Sequence, residues 1–178
     1  SNNTNAIYHG GIVIPLAGGV IDKTDQAVAP LGVLNGVEYV DSNTGKTVFS
    51  NYWPGSNNVS VDTNHPVKAF VFDNPMQLFT VVADGTNTDR ATALADVFTN
   101  CAMASVNNGS TSTGQSSDML DISSAATTNT LDVRIVGLYE DDANTDYSAV
   151  GHQYIVRLLG HFNTGTTIAV GTYATTGI

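Results

Sequence analysis

The rhythm of this sequence constrains it most. Apolar and β-branched runs of strand length recur at short intervals: Gly11 to Leu16, Leu31 to Val40, Thr47 to Tyr52, Val67 to Phe72, Gln77 to Ala83, Leu131 to Leu138, His152 to Gly160 and Thr166 to Tyr173. Turn formers separate them, at Asp22 to Asp25, Asp41 to Gly45, Pro54 to Asn58, Asp73 to Pro75, Asp84 to Asn87 and Asn163 to Gly165. Gly, Asn and Asp tolerate positive φ there and Pro presets a turn φ, so the chain can reverse. Many short strands without alternating helices predict an all-β fold, an antiparallel β-barrel or jelly-roll-like sandwich. A chain of 178 residues suits one β domain, residues 1–178, with a short polar N-terminal arm over residues 1–6.

Two details refine this. In Val67 to Phe72, Val67, Ala69 and Val71 alternate with Lys68, Phe70 and Phe72. From Ala69 onward both faces are apolar, which predicts cover on both sides, from a second layer or another chain. One short helix is expected over about residues 88–99, with Thr88 as N-cap, Asp89 in the first turn, and Ala91, Leu94, Ala95 and Phe98 as its apolar stripe. Asn107 to Asp118 and Glu140 to Tyr147 read as long polar loops, ordered by their neighbours if at all.

Charge limits the partners. Sixteen acidic against six basic residues give a net charge of −10, and charged residues make up 12% of the chain. Without a Lys/Arg cluster there is no footprint for nucleic acid or for a membrane surface. No basic leader and no long apolar span are present, so the expectation is a complete soluble protein made in the cytosol, without a signal peptide. Cys101 is the lone cysteine and reads as a small buried hydrophobe, so no intrachain disulfide forms. The Asn-x-Ser/Thr triplets at Asn2, Asn58 and Asn108 matter only in a secreted glycoprotein.

The chemistry-bearing patterns are incomplete. Gly109 to Ser116, GSTSTGQS, has the glycine spacing of a phosphate-binding loop, but Gln115 stands where the lysine is needed and no helix pattern follows. It reads better as a flexible or interface-ordered loop. Asp142, Asn144 and Asp146 have the spacing of a calcium loop, with Glu140 and Asp141 adding charge. Tyr147 and Gln153 then occupy the required Gly and Glu positions, so a solvated loop is favoured over a weak calcium site. His9, His65, His152 and His161 lie in no recognisable catalytic frame, and nothing selects a pair of carboxylates. The expectation is therefore a non-enzyme without cofactor or metal. Phe49, Tyr52 and Trp53 form the one cluster with binding character: a subunit contact or tucked strand end is favoured, and a carbohydrate platform on Tyr52 and Trp53 is the alternative.

Three segments carry a family resemblance. They are Gly32 to Pro54, GVLNGVEYVDSNTGKTVFSNYWP; Ala69 to Gly85, AFVFDNPMQLFTVVADG; and the GSTSTGQS loop. With Val136 to His161, VGLYEDDANTDYSAVGHQYIVRLLGH, they make the chain resemble, over about residues 8–161, the capsid decoration or cement proteins of tailed bacteriophages, particularly marine and cyanobacterial ones. The resemblance implies a non-enzymatic virion protein on the outer face of a shell of major capsid protein, itself a homo-oligomer with a trimer favoured over a dimer. The candidate interface is Tyr8, Tyr52, Trp53 and the loop residues Ser110, Thr111, Ser112 and Thr113. The polar arm, Ser1 to Asn5, would order along a neighbouring subunit, and the charge of −10 suits a place outside the shell, away from DNA. The alternative is a carbohydrate- or receptor-binding β module on a virion surface.

Overall fold

A computed structural model describes residues 3–24, 28–142, 144 and 146–164. Within them the fold is all-β: two antiparallel sheets of five strands each and one short helix. The first sheet comprises β1 (Ile12–Leu16), β2 (Val20–Lys23), β3 (Gly32–Val40), β4 (Thr47–Ser50) and β5 (Lys68–Phe72). Its order is β2-β1-β3-β4, with β5 on the other flank of β3. The second comprises β6 (Leu78–Val82), β7 (Asn100–Ala104), β8 (Met119–Ala126), β9 (Val133–Leu138) and β10 (Gln153–Leu158), in the order β6-β10-β9-β7-β8. Its two outer strands meet only at a parallel bridge between Ala83 and Leu120, so the sheet curls without closing into a barrel. The expected strand at Thr166 to Tyr173 lies outside the described residues.

Two apolar cores hold the sheets. The larger joins Ile12 and Val33 of the first sheet to Cys101, Leu120, Val133, Ile135, Tyr154 and Val156 of the second. The smaller lies on the opposite face of the first sheet, where Val13, Leu34, Val37 and Tyr39 meet Ile7 and Trp53. The alternation along β3 explains both. Val33 faces the second sheet and Leu34 the other core, and a bulge between Leu34 and Gly36 keeps Val37 and Tyr39 with Leu34.

Three strands differ from expectation. β2 occupies Val20–Lys23, where Asp22 was expected to begin a turn; β7 and β8 fall where apolar runs are broken by Asn100, Asp121, Ser123 and Ser124. Tertiary pairing overrides weak local pattern there. The Asp41 turn forms as expected, since the Asp41 carboxylate accepts the Asn43 and Thr44 amides at 3.0 and 2.8 Å. Those bonds hold the Asp41 carboxyl below its ordinary pKa.

The helix, α1 (Arg90–Ala95), is shorter than expected and rotated. Asp89, not Thr88, caps it: its carboxylate accepts the Thr92 amide at 2.9 Å, while the Thr92 hydroxyl accepts the Asp89 amide at 3.0 Å. Ala93 is the buried residue, and the expected stripe of Ala91, Leu94, Ala95 and Phe98 faces solvent. The chain leaves the helix at Asp96 and Phe98 takes φ +72°, which swings Phe98 outward with 78% of its surface exposed.

Candidate interaction surface

The N-terminal segment builds the surface. Ile7 and Trp53 exchange both backbone hydrogen bonds, at 2.9 and 2.8 Å. On its other side the segment meets the GSTSTGQS loop, where the His9 amide donates to Gly114 and the Ser116 amide to His9, both at 2.9 Å. Tyr8 therefore stands between the Tyr52 turn and the loop, and its ring stacks on that of Tyr52 with centroids 5.7 Å apart and planes 8° from parallel. Gly109 is required beneath it, because a Cβ there would overlap the Tyr8 ring. Gly114 has φ +72° and lies against the side chain of Asn51, whose Nδ2 donates to the Thr113 carbonyl at 2.8 Å.

Tyr8 and Tyr52 thus stack on one another beside Gly109, at the base of the loop whose residues Ser110, Thr111, Ser112 and Thr113 are exposed. The loop was expected to be flexible or ordered by an interface, yet its own chain orders it. The Ser110 amide donates to Gln115 at 2.9 Å and the Gly114 amide to Ser110 at 2.7 Å, so those two N–H groups are committed within the turn and do not cradle a phosphate.

Trp53 does not join them. It is 3% exposed and sits in the smaller core, edge-on to Tyr39 at 5.9 Å, with its Nε1–H donating to the Asn3 carbonyl at 2.9 Å. Trp53 is a core residue, and the carbohydrate platform expected on Tyr52 and Trp53 loses its larger ring. Neighbours in an extended chain point to opposite sides, so a run of adjacent aromatics is not a surface cluster. The described part of the arm is also fixed on its own domain. Asn3 Nδ2 donates to Asp22 at 2.9 Å, the Ser56 amide donates to the Asn3 carbonyl at 2.9 Å, and the Thr4 backbone lies against Gly55. An arm running free from Asn3 along a neighbour is not what these residues form; Ser1 and Asn2 lie outside the described residues.

A second patch was only half legible. Glu38 is opposite Phe49 on one flank and Lys68 on the other, Gly36 is opposite Phe70, and Val33 is opposite Phe72. Directly opposed residues share a face, so Phe49, Phe70 and Phe72 lie on one side of the sheet with the Lys68–Glu38 ion pair at 3.1 Å. The second sheet covers this face only at its Val33 end. Phe70 and Phe72 remain 45% and 46% exposed and Phe49 72%. On the other face of β5, Val71 packs against the smaller core while Ala69 is exposed. The expected cover is therefore partial on this face, at Val71, and absent from most of the other.

Each histidine is bonded within the chain through Nδ1. His152 is buried between the Tyr147 and Tyr154 rings, with centroids at 6.0 and 5.3 Å, and its Nδ1–H donates to Ala149 at 3.1 Å. His161, 1% exposed, accepts the Asn163 amide at Nδ1, and burial pushes its pKa down. His9 and His65 bond through Nδ1 to the Asn35 carbonyl and the Asp62 carboxylate, both at 2.9 Å. In the Asp-rich loop, Asn144 is buried, with its amide bonded to the Tyr139 carbonyl and its Oδ1 to the Gln153 amide, while Asp146 accepts the Ser148 amide and hydroxyl. That leaves Asn144 committed to backbone rather than to the calcium triad. No protein-family model, curated protein or solved structure matches this chain.

Proposed function

We propose that this chain is a structural virion protein that binds the outer surface of a phage capsid and cements adjacent major capsid protein subunits, acting as a homo-oligomer with a trimer favoured. The observation that carries the reading is the face of Phe49, Phe70 and Phe72, three aromatic rings left uncovered on one sheet of a chain with few charges. Exposed aromatic rings gathered on one face of a sheet, here around the Lys68–Glu38 ion pair, are the kind of surface a partner covers. Covering the exposed half of Phe70 and Phe72 is worth about 1 kcal/mol each and covering Phe49 about 2 kcal/mol. Together that is about a thousandfold in affinity, enough to anchor a partner when polar contacts supply register. The neutral hydroxyl tip of Ser110 to Thr113 suits such contacts, since hydroxyls cost less to desolvate than charges.

Cementing follows by linkage. A protein that binds only the assembled lattice stabilises it by RT ln(1 + [L]/Kd), and many copies distribute that stabilisation over the shell. The family resemblance of the three sequence segments supports the identity of the partner, and the net charge of −10 supports an outer rather than DNA-facing location. The test is sedimentation of purified shells with wild type and with a Phe70→Ser, Phe72→Ser double variant. Wild type should co-sediment at a fixed ratio to capsid subunits and the folded double variant should not; equal binding by both refutes the assignment of this face.

A further inference from the structure

The outer flank of β5 is a sheet edge. β5 pairs with β3 on one side, and among the described residues no strand pairs its other side. Over the smaller core beside that edge lies a groove of about 470 Å3, lined by Val67, Ala69 and Val71 together with the buried Leu34 and Trp53. Its lining is incompletely shielded, since Ala69 is exposed and Val71 half-buried. A sheet edge beside accessible apolar side chains is a template for one more strand. The described chain ends at this edge. The Phe162 amide donates to the Pro30 carbonyl at 2.9 Å and Asn163 Nδ2 to the Asp73 carbonyl at 3.2 Å. Asp73 directly follows β5, and Asp73 and Leu31 both line the groove.

Thr164 is followed by Gly165 to Ile178, GTTIAVGTYATTGI, without a charged side chain or a proline and rich in the strand formers Thr, Ile and Val. Ile168 and Val170 alternate there with Thr167, Ala169 and Gly171. A chain that leaves from Asp73 and follows β5 runs back toward Lys68. That direction is antiparallel, as is every pairing between the ten strands. We infer that residues 166–173 add to the outer edge of β5 in their own chain as an antiparallel strand, with Ile168 and Val170 on the groove side beside Ala69 and Val71. Directly opposed residues share a face, and the hydrophobic pattern selects this register over the one that would leave the groove to Thr167, Ala169 and Gly171. The tether favours the chain's own edge, because a segment held a few residues away has an effective concentration of about millimolar. The inference is independent of the capsid reading: the small residues on the Phe70 and Phe72 side leave those rings uncovered.

The test is NMR on the full chain, as wild type and as an Ile168→Asp, Val170→Asp double variant. The inference expects nuclear Overhauser contacts between the Ile168 and Val71 methyl groups of wild type. It also expects the β5 amides that point away from β3 to exchange at least about tenfold more slowly in wild type than in the variant. The Val133 and Ile135 amides, in the other sheet, should exchange alike in both proteins and report that the variant is folded. Where the variant fails to fold, the wild-type contacts decide alone. Wild type without Ile168–Val71 contacts overturns the inference, and so does equal exchange of β5 in two folded proteins. Contacts found only between molecules, in a mixture of labelled and unlabelled chains, place the strand on a second copy and overturn the assignment to its own chain.

Discussion

The phenol ring of Tyr8 lies flat on that of Tyr52, 5.7 Å between centroids, and the absence of a side chain at Gly109 is what lets the loop close beneath them. Gly109→Ala forces a methyl group into the Tyr8 ring. It should cost about 1 to 3 kcal/mol in urea denaturation, with the loop amides losing exchange protection. Thr111→Ala, at the exposed tip, should stay within about 0.5 kcal/mol of wild type.

Trp53 provides an internal probe because it is the sole tryptophan. Its burial and its bond to the Asn3 carbonyl predict blue-shifted emission and weak acrylamide quenching. Trp53→Ala should cost about 3 to 5 kcal/mol. Trp53→Phe should cost less, since it retains most of the ring and gives up one hydrogen bond worth about 1 kcal/mol. Red-shifted, freely quenched emission would contradict this placement.

The Cys101 thiol is fully buried, donates to the Asp121 carbonyl at 2.8 Å, and is pushed up to about 11 by burial. Reactivity belongs to the thiolate. A disulfide reagent at mildly alkaline pH should leave the native protein unlabelled and titrate one thiol only after denaturation.

His161 sets a pH dependence. Burial lowers its folded pKa, and the opposing pull of Asp73 is smaller. The neutral ring is the form that fits, so its contribution is present above the unfolded value of about 6.5 and is lost as pH falls below it. Thermal unfolding should show Tm falling from about pH 7.5 to about pH 5.5, more steeply in wild type than in His161→Gln. Identical slopes would remove His161 as the cause.

The sequence made legible what local pattern encodes. Seven strands stood out because their β-branched runs are bounded by Gly, Asn, Asp and Pro, as in Gly32–Val40 and Thr47–Ser50. β7 and β8 did not, because Asn100 and Ser124 take their place through side-chain bonds to distant backbone, Asn100 to Thr128 and Ser124 to Ala102. The loop residues Ser110 to Thr113 were legible as surface from composition alone. The stack of Tyr8 on Tyr52 was not, since 44 residues separate its partners in the sequence. Trp53 failed differently: only the pleat decides which of two adjacent aromatics turns inward, and the shared face needed the β3 register to place Phe49 of β4 on the same side of the sheet as Lys68 and Phe70 of β5.

The central claim is that this chain holds a capsid together. The direct measurement is the melting temperature of expanded capsids with and without the purified protein at saturating occupancy. The account predicts a higher shell melting temperature that rises with protein concentration and is lost with the Phe70→Ser, Phe72→Ser variant. A melting temperature unchanged by wild-type protein bound at full occupancy would contradict it.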